Sequence, residues 1–212
     1  MRLYLIRHGE TDWNTQKRLQ GSADIPLNRN GRELARLTAE GLRKIHFDLI
    51  YTSPLIRAKE TAEILREERD IPILVDDRLK EIYFGGYEGH SCDRSENSEI
   101  EPGVLAFFTD PANYVPIDGG ESIAELCERT TEFLDEIIAN PNYEDKTILI
   151  SGHGTVVKGL MSSLTITDLK DFWQGGFHKN CGVTIIDVQK GKANVVQENV
   201  IYYDPAKAVD LF

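Results

Sequence analysis

Cysteine is scarce in this sequence: Cys92, Cys127 and Cys181 are the only three in 212 residues, far apart and without C-x-x-C spacing. That excludes a disulfide scaffold and predicts free thiols in a reducing compartment, so the expected location is cytoplasmic. Cys127 falls on the apolar stripe of a predicted helix and reads as a small core residue. No stretch approaches the ~20 apolar residues of a membrane span. Arg7 interrupts the first apolar run too early for a secretory leader. Basic residues are outnumbered 24 to 35 by acidic ones, giving a net charge of −11. That balance argues against general nucleic-acid binding, which needs surplus Lys and Arg. A small anionic substrate stays open to it, because a few converging arginines outweigh a distant surface field at physiological salt. Metal and nucleotide signatures are missing too: there is no H-E-x-x-H, no G-x-x-x-x-G-K-[ST], and Asp76-Asp77 has no partner set for a two-metal centre. The expectation is no metal and no cofactor. Internal repeats and low-complexity tracts are also absent.

What is present fits a single α/β domain over residues 1–212, with 41% hydrophobic and 28% charged residues. Arg2 to Ile6 is short, apolar and β-prone, and a polar loop follows through Pro26. Asn28 to Ile45 has helical periodicity, and Phe47 to Tyr51 returns as a strand. Ser53-Pro54 predicts a helix start, with Ser as N-cap and Pro in the first turn, running to about Glu68. Ile71 to Val75 is another short strand. Residues 76–120 are the least regular, with a helix near Val104 to Thr109. Glu121 to Ala139 carries apolar residues at i, i+3, i+4 spacing. Thr147 to Ile150 reads as a buried strand, Thr155 to Ser162 as a helix behind it, and 182–200 as a hairpin turning at Gln189 to Lys192. The pattern predicts a three-layer α/β/α sandwich with a mostly parallel central sheet and an antiparallel edge strand. Ligands of such sheets bind outside the carboxyl ends of the strands, near the point where strand order reverses.

Two strand ends carry chemistry. Arg7-His8-Gly9-Glu10-Thr11 follows the first strand, and Ser151-Gly152-His153-Gly154 ends the buried one. Neutral imidazole is substantially deprotonated at neutral pH and still nucleophilic. An arginine beside it disfavours the imidazolium and binds phosphoryl oxygens. If the two strands are neighbours, both histidines face one crevice.

With Trp13-Asn14, Gln20-Gly21, Pro26-Leu27 and Gly31, the first of these motifs resembles the opening of the histidine phosphatase superfamily, in its phosphoglycerate-mutase-like branch. Ser53-Pro54-Leu55, Arg57-Ala58 and Thr61-Ala62, then Glu81, Phe84-Gly85 and Glu88-Gly89, are similar to the next two blocks. Gly119-Gly120-Glu121-Ser122 and His153-Gly154 complete the order, and the resemblance runs from residue 2 to about 188. It implies that His8 is the nucleophile of a phosphohistidine intermediate. Glu81 would protonate the leaving oxygen and then activate water. His153 would donate a hydrogen bond to the equatorial phosphoryl oxygens. Arg7, Asn14, Arg57 and Gly154 are implied phosphate ligands, Gln20 and Gly21 substrate contacts. Residues 82–120 correspond to a variable substrate-covering segment. His46 ends a helix and reads as structural. His90 and His178 lie in segments that reach toward the pocket, with a surface position the alternative for each.

The family holds both phosphatases and mutases. Ser95 to Glu128 contains no Lys or Arg, whereas the cofactor-dependent mutases carry a basic insertion there, with paired arginines. Ile82-Tyr83-Phe84 also departs from the Arg-containing block of those mutases. Tyr83, Phe84, Tyr87, Phe107 and Phe108 are candidates for an apolar wall. The expectation is a metal-independent phosphatase acting on monoesters of small metabolites, with no nucleic-acid or membrane partner. The alternatives are a 2,3-bisphosphoglycerate-dependent phosphoglycerate mutase and a non-catalytic phospho-ligand-binding module. Oligomeric state and the physiological substrate have no signal in the sequence.

Overall fold

The computed structural model describes residues 1–95 and 99–207. Its strands are β1 (Arg2–Arg7), β2 (Leu49–Thr52), β3 (Ile73–Val75), β4 (Thr147–Gly152), β5 (Val183–Gln189) and β6 (Lys192–Val200), in the sheet order β3-β2-β4-β1-β5-β6. The first four pair in parallel, while β5 runs antiparallel to β1 and β6 antiparallel to β5. The antiparallel part is therefore a two-strand hairpin whose first strand lies inside the sheet.

Alternation along the buried strands assigns side chains to two layers. Leu3, Leu5, Ile148 and Ile150 face a core shared with α5 (Ile123–Ala139) and α6 (Gly154–Thr165). Tyr4, Ile6 and Leu149 face the opposite core, shared with α2 (Arg29–Gly41) and α3 (Ile56–Arg66). The predicted three-layer sandwich is the observed one. Helix starts follow local chemistry: Asn28 caps α2 by accepting from Gly31 N–H, and Ser122 and Glu125 form a reciprocal capping box on α5.

Two local readings need correction. The stretch read as a polar loop contains the one-turn helix α1 (Asp12–Thr15), closed by a capping box between Thr11 and Asn14. The Ser53-Pro54 signal does not open α3, whose N-cap is Leu55 without a side-chain cap bond. The Ser53 hydroxyl accepts from Leu55 N–H at 3.3 Å and meets His153 Nε2 at 2.8 Å, so it closes the turn before the helix and is shared with a tertiary contact.

The sheet delivers both histidines to one level. Ile6 pairs with Ser151 and Arg7 with Gly152, and the His8 N–H continues the ladder to the Gly152 carbonyl at 2.9 Å. Chain connections leave β1 toward β2 on one side, while β5 lies on the other, which makes this strand end the switch point. The loop after β1 is also pressed by α2. A Cβ added to Gly31 would meet the Glu10 carbonyl oxygen at 2.1 Å, so only glycine permits that approach. The irregular stretch after β3 includes α4 (Pro102–Thr109) and an edge-to-face aromatic cluster in which Phe107 touches Phe84, Phe108, Tyr114 and Trp173. Residues 96–98 of the 82–120 segment lie outside the described part.

Candidate active site

At the carboxyl ends of β1 and β4 lies a cavity of about 70 Å³, bordered by Arg7, His8, Asn14, Gln20, Glu81 and Gly154 among others. His8 is 3% exposed, and its ring stands edge-on to that of His153 with centroids 5.2 Å apart. Its Nδ1 lies 2.6 Å from the Gly9 carbonyl oxygen. A carbonyl can only accept, so Nδ1 carries the hydrogen and Nε2 keeps its lone pair. Burial, with the charges of Arg57 and Arg7, holds the His8 pKa well below the ordinary 6.5.

His153 is the complement. Its Nδ1 accepts from Arg57 Nε at 3.2 Å, so the proton sits on Nε2, 2.8 Å from Ser53 Oγ. Burial and the neighbouring Arg57 keep this ring neutral as well. Arg57 is fully buried, and its terminal nitrogens donate to the carbonyls of Ala23 (2.8 Å) and Gly21 (2.7 Å). Arg57 and His153 thus stand one layer behind the cavity wall, acting on His8 through charge and contact. Each terminal nitrogen of Arg57 retains a second hydrogen.

Arg7 anchors Nη1 on the His178 carbonyl at 2.6 Å, while its buried Nε has no partner among the described residues. Gln20 is similar: its Oε1 accepts from Thr11 Oγ1 at 2.6 Å, and its buried Nε2 is unpartnered. Asn14 Oδ1 accepts from Thr11 N–H and Asn180 Nδ2, each at 3.1 Å, which leaves its amide NH₂ as the group to offer. Gly154 begins α6, whose N-terminal dipole adds to the positive character of the cavity. Glu81 brings a carboxyl group to the cavity, 8% exposed, with one oxygen accepting from Ile82 N–H (3.0 Å) and the other from Thr155 N–H (3.2 Å). Burial raises its pKa against the pull of those bonds and of Arg57 and Arg7.

Of the residues expected from sequence, Gly21 does not border the cavity; its carbonyl holds Arg57. Its loop is in turn clamped by Glu88, whose carboxylate accepts from the N–H groups of Gly21, Ser22, Ala23 and Phe84. His90 lies outside, paired with Glu101 at 3.0 Å, and the His46 side chain is exposed beyond the end of α2. His178, by contrast, borders the cavity. Phe84, Phe107 and Phe108 form part of an apolar wall, whereas Tyr83 is exposed and Tyr87 does not border the cavity. Sequence reasoning did not find Ser53 as the partner of His153, Asn180 as the strut between Asn14 and the His8 carbonyl (3.1 Å), or Trp173 and Phe177 in the wall. Among the described residues no group of three or more His, Cys, Asp or Glu is placed to hold a metal ion, and no helix is long and apolar enough to cross a membrane.

Known proteins resemble the chain over most of its length. The chain is 37% identical over 161 residues to the Uncharacterized phosphatase PhoE of Bacillus subtilis (strain 168), covering 76% of each protein. It is 32% identical over 191 residues to the Probable phosphoglycerate mutase GpmB of Serratia proteamaculans (strain 568), covering 90% of this chain and 86% of that protein. Among solved structures, Bacillus stearothermophilus YhfR superposes with a TM-score of 0.85 at 38% identity, covering 95% of this chain and 98% of the other. The model of the histidine phosphatase superfamily (branch 1) matches residues 3–201, nearly the whole described chain, and the protein belongs to that superfamily.

Proposed function

We propose that this protein is a metal-independent phosphatase that hydrolyses phosphate monoesters of small metabolites through a phosphohistidine on His8. The observation that carries this reading is the bare Nε2 of His8, fixed by the Nδ1–H bond to the Gly9 carbonyl and kept neutral by burial and two arginines. The lone pair on Nε2 attacks phosphorus as the bond to the leaving oxygen breaks. Protonated Glu81 gives its proton to that oxygen, and an alcohol departs. The Glu81 carboxylate then takes a proton from water, the resulting hydroxide attacks phosphorus, and the P–N bond breaks to regenerate His8. Arg7, Gln20, Asn14 and the start of α6 supply donors to the phosphoryl oxygens, and the Arg57 guanidinium, braced by neutral His153, reinforces the positive field behind them. The cavity is small beside the several hundred Å³ of sites for drug-sized ligands, which favours a small ester. Residues 82–120 serve as the substrate-covering segment, since Phe84, Phe107 and Phe108 from it border the cavity.

His8→Ala is expected to abolish phosphate release and acid-labile phosphoenzyme labelling, in buffer containing chelator. Labelling or turnover that persists in the variant rejects the assignment. The mutase reading draws on the mutase-named relative and on Arg18 at the cavity. The absence of Lys and Arg over residues 95–128 favours hydrolysis. Following 3-phosphoglycerate with and without 2,3-bisphosphoglycerate separates the two readings.

A further inference from the structure

The mechanism above leaves one buried polar group at the cavity without a task. His178 is 2% exposed and borders the same space as His8 and Glu81, yet its Nδ1 has no partner. The ring is not loosely placed. Its Nε2 lies 2.7 Å from Thr184 Oγ1, and its own backbone carbonyl holds Arg7. The hydroxyl settles the tautomer. Thr184 is fully buried and its oxygen already accepts from the Asn199 N–H at 3.1 Å. The hydroxyl proton needs an acceptor, and His178 Nε2 is the one within reach. The imidazole hydrogen is therefore on Nδ1, an unpartnered donor on a residue that borders the cavity. A donor left unpaired in a buried site forfeits the bonds it makes with water, so a ligand oxygen that pairs with it gains selectively.

The surroundings indicate which part of a ligand supplies that oxygen. Leu19, Phe84, Phe107, Phe108, Trp173 and Phe177 border the cavity together with His178. Trp173 is pinned by its indole N–H on the Phe107 carbonyl at 2.7 Å, and its ring lies 4.3 Å from that of Phe177, measured between centroids. His178 is thus the next residue along from an aromatic wall, whereas the phosphoryl donors come from β1, the loop after it and α6.

Resting on the phosphatase reading, we propose that the substrate is a phosphate monoester with an apolar leaving group bearing a neutral hydrogen-bond-accepting oxygen, which His178 Nδ1–H engages. His178 is a specificity-determining residue in this assignment. Burial, with Lys158 and Arg7 nearby, pushes its pKa down to about 3, so the donor is a neutral N–H rather than a cation at working pH. A neutral donor within an apolar wall favours an ether, hydroxyl or carbonyl oxygen over a carboxylate, whose desolvation it does not offset.

The test uses phenyl phosphate and its 2-, 3- and 4-methoxy derivatives, which differ only in where an acceptor oxygen is placed. In the wild type, kcat/KM for at least one methoxy isomer is expected to exceed that for phenyl phosphate by about tenfold, mainly through KM. His178→Phe should erase that ratio and His178→Gln, which keeps an N–H donor, should restore part of it. Orthovanadate inhibition, measured on each variant, reports the phosphoryl site separately and guards against misfolding. A wild type without isomer preference, or a preference that survives His178→Phe, overturns the proposal. A drop in vanadate affinity equal to the drop in ester affinity also overturns it, by placing His178 at the phosphoryl group. Phosphate release from phenyl phosphate by the wild type upholds the phosphatase reading whichever way the isomer ratio falls, and its absence from all four esters rejects both.

Discussion

At the scale of single residues, the proposed reaction rests on opposed titration. His8 is competent when neutral, and its depressed pKa keeps it so well below histidine's ordinary 6.5. Glu81 is competent as an acid when protonated, and its pKa is raised above the ordinary 4.5. Activity in the free enzyme should therefore rise with pH through the His8 pKa and fall through that of Glu81. Glu81→Gln is expected to remove the falling limb with nitrophenyl phosphate, a good leaving group. With alkyl phosphates it should cost about 10²–10⁴ in rate. A falling limb that survives the substitution, or equal losses across leaving groups, would show that another group holds the proton.

Residue-scale legibility was uneven, for a physical reason. His8, Arg7, Glu81 and His153 stand in short motifs at strand ends and could be named from the sequence. Ser53 meets His153 across 100 positions, and Asn180 reaches Asn14 across 166. Neither contact leaves a periodicity or a spacing in the chain, because long-range hydrogen bonds are set by topology. The start of α3 was misplaced as well: the Ser53 hydroxyl closes a turn onto Leu55 N–H ahead of the helix and is shared with the distant His153.

At the scale of elements, helices determine where the loop after β1 sits. Thr61 of α3 accepts from the Gly9 N–H at 3.0 Å, and Gly31 of α2 lies against Glu10 without room for a methyl group. Gly31→Ala should push that loop away from α2 while leaving the sheet intact. The expected result is a loss of about 100-fold in kcat, the usual size of an ångström-scale displacement, with an unchanged far-UV circular dichroism spectrum. Wild-type kcat in that variant would mean that the loop has slack. Elements themselves were largely readable, since β1 and β4 are continuous apolar runs and α5 is strongly amphipathic. The exceptions were α1, too short for periodicity, and the aromatic wall, whose members come from separate segments and meet only in three dimensions.

At the scale of the molecule, three histidines are buried neutral: His8, His153 and His178 all have pKa values lowered from 6.5. In the unfolded chain each takes up a proton below about pH 6.5, so their stabilisation is complete above that pH and drains away as the pH falls through the folded-state values. Glu81 has the opposite sign, its raised pKa giving stability present below 4.5 and lost as pH rises through the folded value. Three groups outweigh one across the window below 6.5. The slope of unfolding free energy should approach about 1.4 kcal/mol per pH unit for each histidine not yet protonated in the fold. Denaturant melts between pH 7 and pH 5 test this, with His178→Phe expected to reduce the slope by one proton. A flat profile would mean that the imidazoles are charged in the native state.

The position of β1 also dictates when the cavity can exist. Its two neighbours in the sheet are residues 147–152 and 183–189, so β1 is flanked only after both of those later segments have been made. During synthesis on the ribosome His8 precedes both flanking strands and has no pocket to occupy until they follow. Contacts so distant along the chain are slow to close. A nascent polypeptide halted before residue 178 would carry the His8 imidazole yet lack the carbonyl that tethers Arg7, and so would hold the strand end without its fixed guanidinium.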